Sequence, residues 1–190
     1  SNVGSTSPEN FLAGEGIPFI ALHAGTPLPF RINYQTPYTL GRDRIAAVAG
    51  AFTLFPHTHV LVIDAGTAIT YDFIDDEAVY QGGTISPGLL MRFRSLHEFT
   101  HALPLVEPSR IMPEKGDSTE NAIKKGVQQG ILFEMESYIK KFTKQYGDLR
   151  VILTGGDTLY FADKLKKFIF AESNLVAIGL NTILNHNANA

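Results

Sequence analysis

The run Val60-Leu61-Val62-Ile63-Asp64-Ala65-Gly66-Thr67-Ala68-Ile69-Thr70-Tyr71-Asp72-Phe73-Ile74 reads as two strands joined by a tight turn. Apolar segments at 60–63 and 68–74 flank the break Asp64-Ala65-Gly66-Thr67, the pattern of a β-hairpin. A carboxylate, a glycine and a hydroxyl at such a turn can form a compact phosphate site. Glycine lets the backbone come close, successive N–H groups can face anionic oxygens, and the acid can hold a cation beside them. Asp and Gly also build ordinary turns, so these four residues alone leave both readings open.

Outward from the hairpin, strands are expected at 59–64, 67–74 and 78–85, with Asp75-Asp76-Glu77 as the polar turn between the last two. A helix is expected from Pro87 to about residue 103, and a longer one to about Tyr146, opened by Asp117 and Glu120 as a capping pair. Ile123, Val127, Ile131, Met135, Ile139 and Phe142 recur on that helix at helical spacing. A strand at 150–153, a helix over 158–168 and a helix from Leu175 complete this half. Before the hairpin, residues 8–14 suggest a short helix, 18–22 a short strand, and Asp43 to Phe55 a small-residue helix ended by Pro56. Three meandering strands, then helices and a further strand, fit a ribonuclease-H-like α/β domain. The expected division is 1–57 and 58–190.

At 190 residues, with 44% hydrophobic and 18% charged residues, the chain can bury a real core. A formal charge of −3 gives no electrostatic argument for nucleic acid, and Lys164, Lys166 and Lys167 read as a solvated helix face. No apolar run approaches membrane-spanning length. The absence of cysteine rules out disulfides and thiolate metal sites and suits a cytoplasmic protein.

Several short motifs carry possible chemistry. Gly41-Arg42-Asp43-Arg44 opens the small-residue helix; Asp43 could take a proton from a hydroxyl while Arg44 gathers an anionic group, or the acid could simply favour a helix N-terminus. Gly82-Gly83-Thr84-Ile85-Ser86-Pro87-Gly88 marks a bulge or a close backbone approach at a strand-to-helix turn. Thr154-Gly155-Gly156-Asp157 follows a buried strand, where a flat glycine surface can pack against a nucleotide. His97-Glu98-Phe99-Thr100-His101 matches the zinc-protease string, but Pro104 follows closely and no third ligand is evident. Ala122, Gly126 and Gly130 make a smooth stripe suited to close helix packing, internally or in a dimer.

Taken in order, Tyr34, Gly41–Arg44, Asp64–Ala68, Gly82–Gly88, Leu103-Pro104, Thr119 with Ala122 and Gly126, and Thr154-Gly155-Gly156 closely resemble the type III pantothenate kinases. That family sits in the acetate-kinase, sugar-kinase, Hsp70 and actin superfamily. The resemblance implies two ribonuclease-H-like (actin-like ATPase) domains around a cleft and a homodimer. It implies transfer of the ATP γ-phosphoryl group to the pantothenate hydroxyl, giving 4′-phosphopantothenate, the first step of coenzyme A biosynthesis. It also implies ATP with Mg2+ or another divalent metal, and K+ or NH4+.

Carried over by position, the resemblance makes Asp43 the proton acceptor and Tyr34, Gly41, Arg42, Asp43 and Arg44 the pantothenate contacts. It makes Asp64 the monovalent-cation ligand, and Gly66, Thr67, Gly155 and Gly156 the ATP side. Thr119 becomes a substrate contact supplied by the neighbouring subunit. The family's opening phosphate loop, Asp-x-Gly-Asn-Thr, is missing, and Ser1-Asn2-Val3 resembles the strand just beyond it. The chain is therefore expected to be N-terminally incomplete, and inactive if confined to these residues. The competing readings are a non-catalytic accessory-factor-like regulator acting through protein partners, and another kinase of the superfamily. Tyr34 with Gly41–Arg44 favours pantothenate over a sugar.

Overall fold

The computed structural model describes residues 12, 14–15, 19–165 and 169–188. Within them a six-stranded mixed sheet has the order β1-β4-β3-β2-β5-β6. Its centre is the expected meander: β2 (His59–Ala65), β3 (Ala68–Ile74) and β4 (Val79–Pro87) are antiparallel neighbours. Val60 lies opposite Ile74 and Asp64 opposite Thr70. β5 (Leu149–Thr154) runs parallel to β2 on its other side. Two-residue strands close the edges, β1 (Arg31–Ile32) parallel to β4 and β6 (Phe170–Ala171) parallel to β5.

Both faces of the sheet are covered, so β2 is apolar on both sides. Val60 and Val62 face α1 (Arg42–Leu54) and α5 (Leu175–Ala188), together with Ile74, Tyr80 and Ile152. Leu61 and Ile63 face α2 (Leu89–Glu98), α3 (Thr119–Tyr146) and the short α4 (Thr158–Ala162), together with Ile69, Tyr71 and Leu153. The small residues of α1 let its backbone meet α5 directly, Gly50 against Leu175 and Gly179 against Ala46. The segment before residue 57 thus lies on the sheet built by the segment after it, through α1 and through β1.

Several local expectations are corrected. Residues 19–22 form no strand, and Pro18 and most of 8–14 lie outside the described residues, as do Lys166 and Lys167. The helix expected from Pro87 starts at Leu89, because Pro87 is still paired in β4 opposite Ala68 and Gly88 is extended. It stops at Glu98, where Thr100 Oγ1 donates to the Leu96 carbonyl and His97 Nδ1 meets the Leu103 carbonyl. Ser118, not Asp117, caps α3: its hydroxyl accepts from the Asn121 N–H, while Asp117 accepts from the Asn121 side chain. The helix expected over 158–168 ends at Ala162. The six apolar positions read along α3 do form its buried or half-buried stripe.

Candidate active site

The chemistry-bearing residues gather where β2 and β5 end, the side of an open α/β sheet that commonly takes ligands. Asp64 is the penultimate residue of β2, and the turn beyond it is tied down by the Gly66 N–H donating to the Ala68 carbonyl. The turn after β5 is laced to the same place, since the Asp157 N–H donates 2.9 Å to the Ala65 carbonyl. Gly155 sits between them with φ +95, and a Cβ there would lie 2.4 Å from Asp64 Oδ1 and 2.5 Å from the Ala65 carbonyl oxygen. Only glycine meets both demands.

Asp64 makes no ion pair among the described residues. Burial, and then the charges of Asp43 and Asp72, raise its carboxyl above the ordinary carboxylate value. A half-buried acid without a compensating charge is the kind of group that a bound cation stabilises. No group of three or more His, Asp or Glu among the described residues is placed to hold a metal ion.

Asp43 lies in the first turn of α1, exposed, with Oδ1 accepting 2.9 Å from the Arg44 N–H. Gly41 caps the helix beside it and Arg42 is exposed. Tyr34 follows β1, its ring stacked on Tyr80 at 6.3 Å and 22°. The structure brings the Asp43 and Asp64 charges within reach of each other and Tyr34 to Arg44, while Gly41 and Arg42 border a separate hollow with Tyr38 and Ile45.

Arg44 is placed differently from the expectation that it reaches outward. Its side chain is 7% exposed and turned into the sheet, where Nη2 donates 2.6 Å to Asp72 Oδ1 and Nε donates 3.0 Å to the same oxygen. The first turn of α1 faces the sheet here, so Arg44 meets a buried acid before it meets solvent. Burial works against the cation, but the hydrogen bonds and charge of Asp72 outweigh it and hold Arg44 above its ordinary value. Asp72 was missed by the sequence reading. What the sequence does offer is an acid inside a strand of a sheet covered on both sides, and a buried acid needs a partner.

Gly66, Thr67, Gly156 and Asp157 line a second part of the site, a cleft of about 480 Å³ walled by α2. Arg94 and Glu98 of α2 also line it, residues that no sequence motif singled out. Burial raises the Asp157 carboxyl above its ordinary value. Thr119 is not part of either cluster. It borders a separate groove between α2 and α3, with Ser95, Ala122 and Gly126.

A family model for type III pantothenate kinase matches residues 9–141. A type III pantothenate kinase of Bacteroides fragilis is 52% identical over 171 residues, covering 90% of this chain and 70% of that protein. The Phocaeicola vulgatus protein of the same name is 52% identical over 175 residues, covering 91% and 72%. Among solved structures, a conserved Baf family protein of Campylobacter jejuni, labelled a transcriptional activator, superposes with a TM-score of 0.66 at 25% identity, over all of this chain and 82% of that one. The match runs through the Gly41–Arg44 helix head, the Asp64–Thr67 turn and Thr119, and the chain belongs to the type III pantothenate kinase family.

Proposed function

We propose that this chain carries the pantothenate kinase activity of its family, transferring the ATP γ-phosphoryl group to the pantothenate hydroxyl to give 4′-phosphopantothenate. The observation that carries this reading is that the Asp43 and Asp64 carboxylates stand within reach of each other's charge, in a chain about half identical to type III pantothenate kinases. Asp43 takes the hydroxyl proton as the new O–P bond forms and the bond to the ADP oxygen breaks. Tyr34 and Gly41–Arg44 form the acceptor side, with Arg44 already neutralised by Asp72.

The cleft beside Gly66, Thr67 and Gly156 takes the nucleotide, and its volume lies in the usual range for small-molecule sites, about 300–1,000 Å³. Gly155 completes the nucleotide side by bringing the β5 turn against Asp64. Asp64 anchors a monovalent cation, K+ or NH4+, its unpaired and half-buried carboxylate being the support for that role. A divalent metal bound with ATP supplies charge neutralisation to the phosphoryl group.

The strand order, a three-stranded antiparallel meander followed by strands parallel to its first member, supports a ribonuclease-H-like reading of residues 58–190. Residues 1–57 then belong to an N-terminal domain, whose α1 rests on the C-terminal one. Thr119, at the rim of the groove with Ala122 and Gly126, is the residue that a second subunit would bring to the site of the first. The open stripe at Gly126 and Gly130 supports a homodimer through this face. The cytoplasm is the compartment this reading proposes; separately, no described helix is long and apolar enough to cross a membrane.

The test is a coupled ADP-release assay on the full-length protein with pantothenate, with and without K+. Turnover that requires pantothenate supports the reading, and a folded protein without pantothenate-dependent turnover refutes it.

A further inference from the structure

Asp72 is fully buried and gathers more polar contacts than any other side chain near the site. Besides Arg44, it accepts 2.6 Å from the Tyr80 hydroxyl and 2.8 Å from Thr70 Oγ1. Arg44 Nη2 donates a further 2.9 Å to the Tyr80 hydroxyl, closing a triangle of Asp72, Arg44 and Tyr80. The fold makes room for it. A register shift follows Asp72 in the β3–β4 ladder, and Gly83 lies directly opposite. A Cβ on Gly83 would stand 2.6 Å from Asp72 Oδ1 and 2.9 Å from Arg44 Nη2, so the glycine opens the space the ion pair fills.

The pair links the sheet to both sides of the acceptor site. Arg44 adjoins Asp43 in sequence, and its N–H holds the Asp43 carboxylate at 2.9 Å. Tyr80 carries the Tyr34 ring on its face, and Tyr34 also contributes to holding the Arg44 charge. A rotation of the first turn of α1 would break contacts to a charge that has no other ion-pair partner among the described residues. Burying an acid and a base together is costly unless the geometry is good, and such a pair can serve to fix one arrangement rather than to add net stability.

We propose that Asp72 is the positioning residue of the acceptor site: by fixing the Arg44 guanidinium and supporting Tyr80, it sets where Asp43 and Tyr34 stand relative to the hydroxyl to be phosphorylated. This rests on the kinase reading above. Asp72 touches no substrate; its effect is relayed through Arg44 and Tyr80. Weakening it disturbs the pantothenate side first: the nucleotide cleft shares no residue with the triangle and feels Asp72 only through its charge on Asp64.

The test compares Asp72→Asn, Tyr80→Phe and Ile131→Ala in the full-length protein, measuring kcat, both KM values and thermal stability. Ile131, fully buried on the opposite face of the sheet, is the control for stability loss alone. Asp72→Asn is expected to lower kcat/KM for pantothenate at least about tenfold, with KM for ATP within about twofold, on the scale of a lost charge-assisted hydrogen bond. Tyr80→Phe, which keeps the ion pair and folds more safely, is expected to lower it about two- to fivefold. Ile131→Ala is expected to lower the melting temperature and leave both KM values unchanged. The proposal is overturned if folded Asp72→Asn keeps wild-type pantothenate kinetics, or if Tyr80→Phe does so where Asp72→Asn does not fold. It is overturned equally if KM for ATP moves as far as KM for pantothenate. Failure of the wild type to phosphorylate pantothenate would instead remove the kinase reading itself, and that result is visible before any variant is made.

Discussion

Asp64 lies close enough to Asp43 for the two charges to interact: after burial, the Asp43 carboxylate is the largest reason that Asp64 holds its proton more tightly than an ordinary carboxylate. One acid sits at the head of α1, the other at the end of β2, and they are 21 residues apart in sequence. A half-buried acid such as Asp64, with no ion pair among the described residues and a second acid near by, costs stability unless cations or donors are taken up there. A phosphoryl-transfer site needs that combination, a base for the acceptor beside an anchor for positive charge.

Asp43→Asn keeps the size of the side chain and an oxygen able to accept from the Arg44 N–H, but removes the carboxylate proposed as the base. Turnover is expected to fall by about 10²–10⁴-fold, the usual contribution of a positioned base. KM for ATP and the melting temperature are expected to stay near wild type, since Asp43 is exposed. Steady-state kinetics with varied ATP and pantothenate check this.

Asp64→Asn removes the carboxylate proposed to anchor the cation, without adding bulk. Turnover of the variant is expected to lose its response to added K+, and a K+ titration of activity beside wild type measures it. Relief of a buried charge should leave the variant at least as stable to heat as the wild type when no cation is added.

Gly155→Ala places a methyl group where the Asp64 carboxylate and the Ala65 carbonyl already stand, at a φ of +95. The conformational strain alone is worth about 1–3 kcal/mol, and the overlap adds to it. Thermal unfolding should show a clear loss of stability, and KM for ATP should rise because the turn it distorts borders the cleft.

How much of this could be read beforehand follows from where the signals lie. The three central strands were legible because three strand-like runs are separated by residues that favour turns, around Gly66-Thr67 and at Asp75–Glu77. The edge strands β1 and β6 were not, because two residues carry no periodicity. Ser118 was passed over for Asp117 because either can cap a helix, and only the backbone decides which stands at the boundary. Asp43 and Asp64 were found as motif residues, whereas Asp72 lies inside a strand with no motif around it. Its partner is 28 residues away on another element, a pairing that local pattern does not express.

Glu134 gives a pH-dependent prediction away from the site. Burial works to raise its carboxyl, but hydrogen bonds from Arg92, Ser86 and Tyr71, with the Arg92 charge, outweigh that and leave it below its ordinary value of 4.5. Arg92 Nη2 donates 2.7 Å and the Tyr71 hydroxyl 2.9 Å to it. With the folded value below the unfolded one, its stabilisation is complete above 4.5 and lost as pH falls through the lowered value. Glu134→Gln is expected to cost about 1 kcal/mol at neutral pH, allowing for partial exposure, and to flatten the acid limb of stability. Urea midpoints from about pH 7 to pH 3 would show both.

The most direct test of the shared site is a crystal structure of the full-length protein with pantothenate, a non-hydrolysable ATP analogue and K+. The pantothenate hydroxyl should lie within hydrogen-bond reach of the Asp43 carboxylate, about 2.6–3.2 Å, with Asp64 on the cation and the γ-phosphate between them. Pantothenate bound away from Asp43, or a nucleotide whose phosphates point away from the Asp64–Thr67 turn, would contradict it.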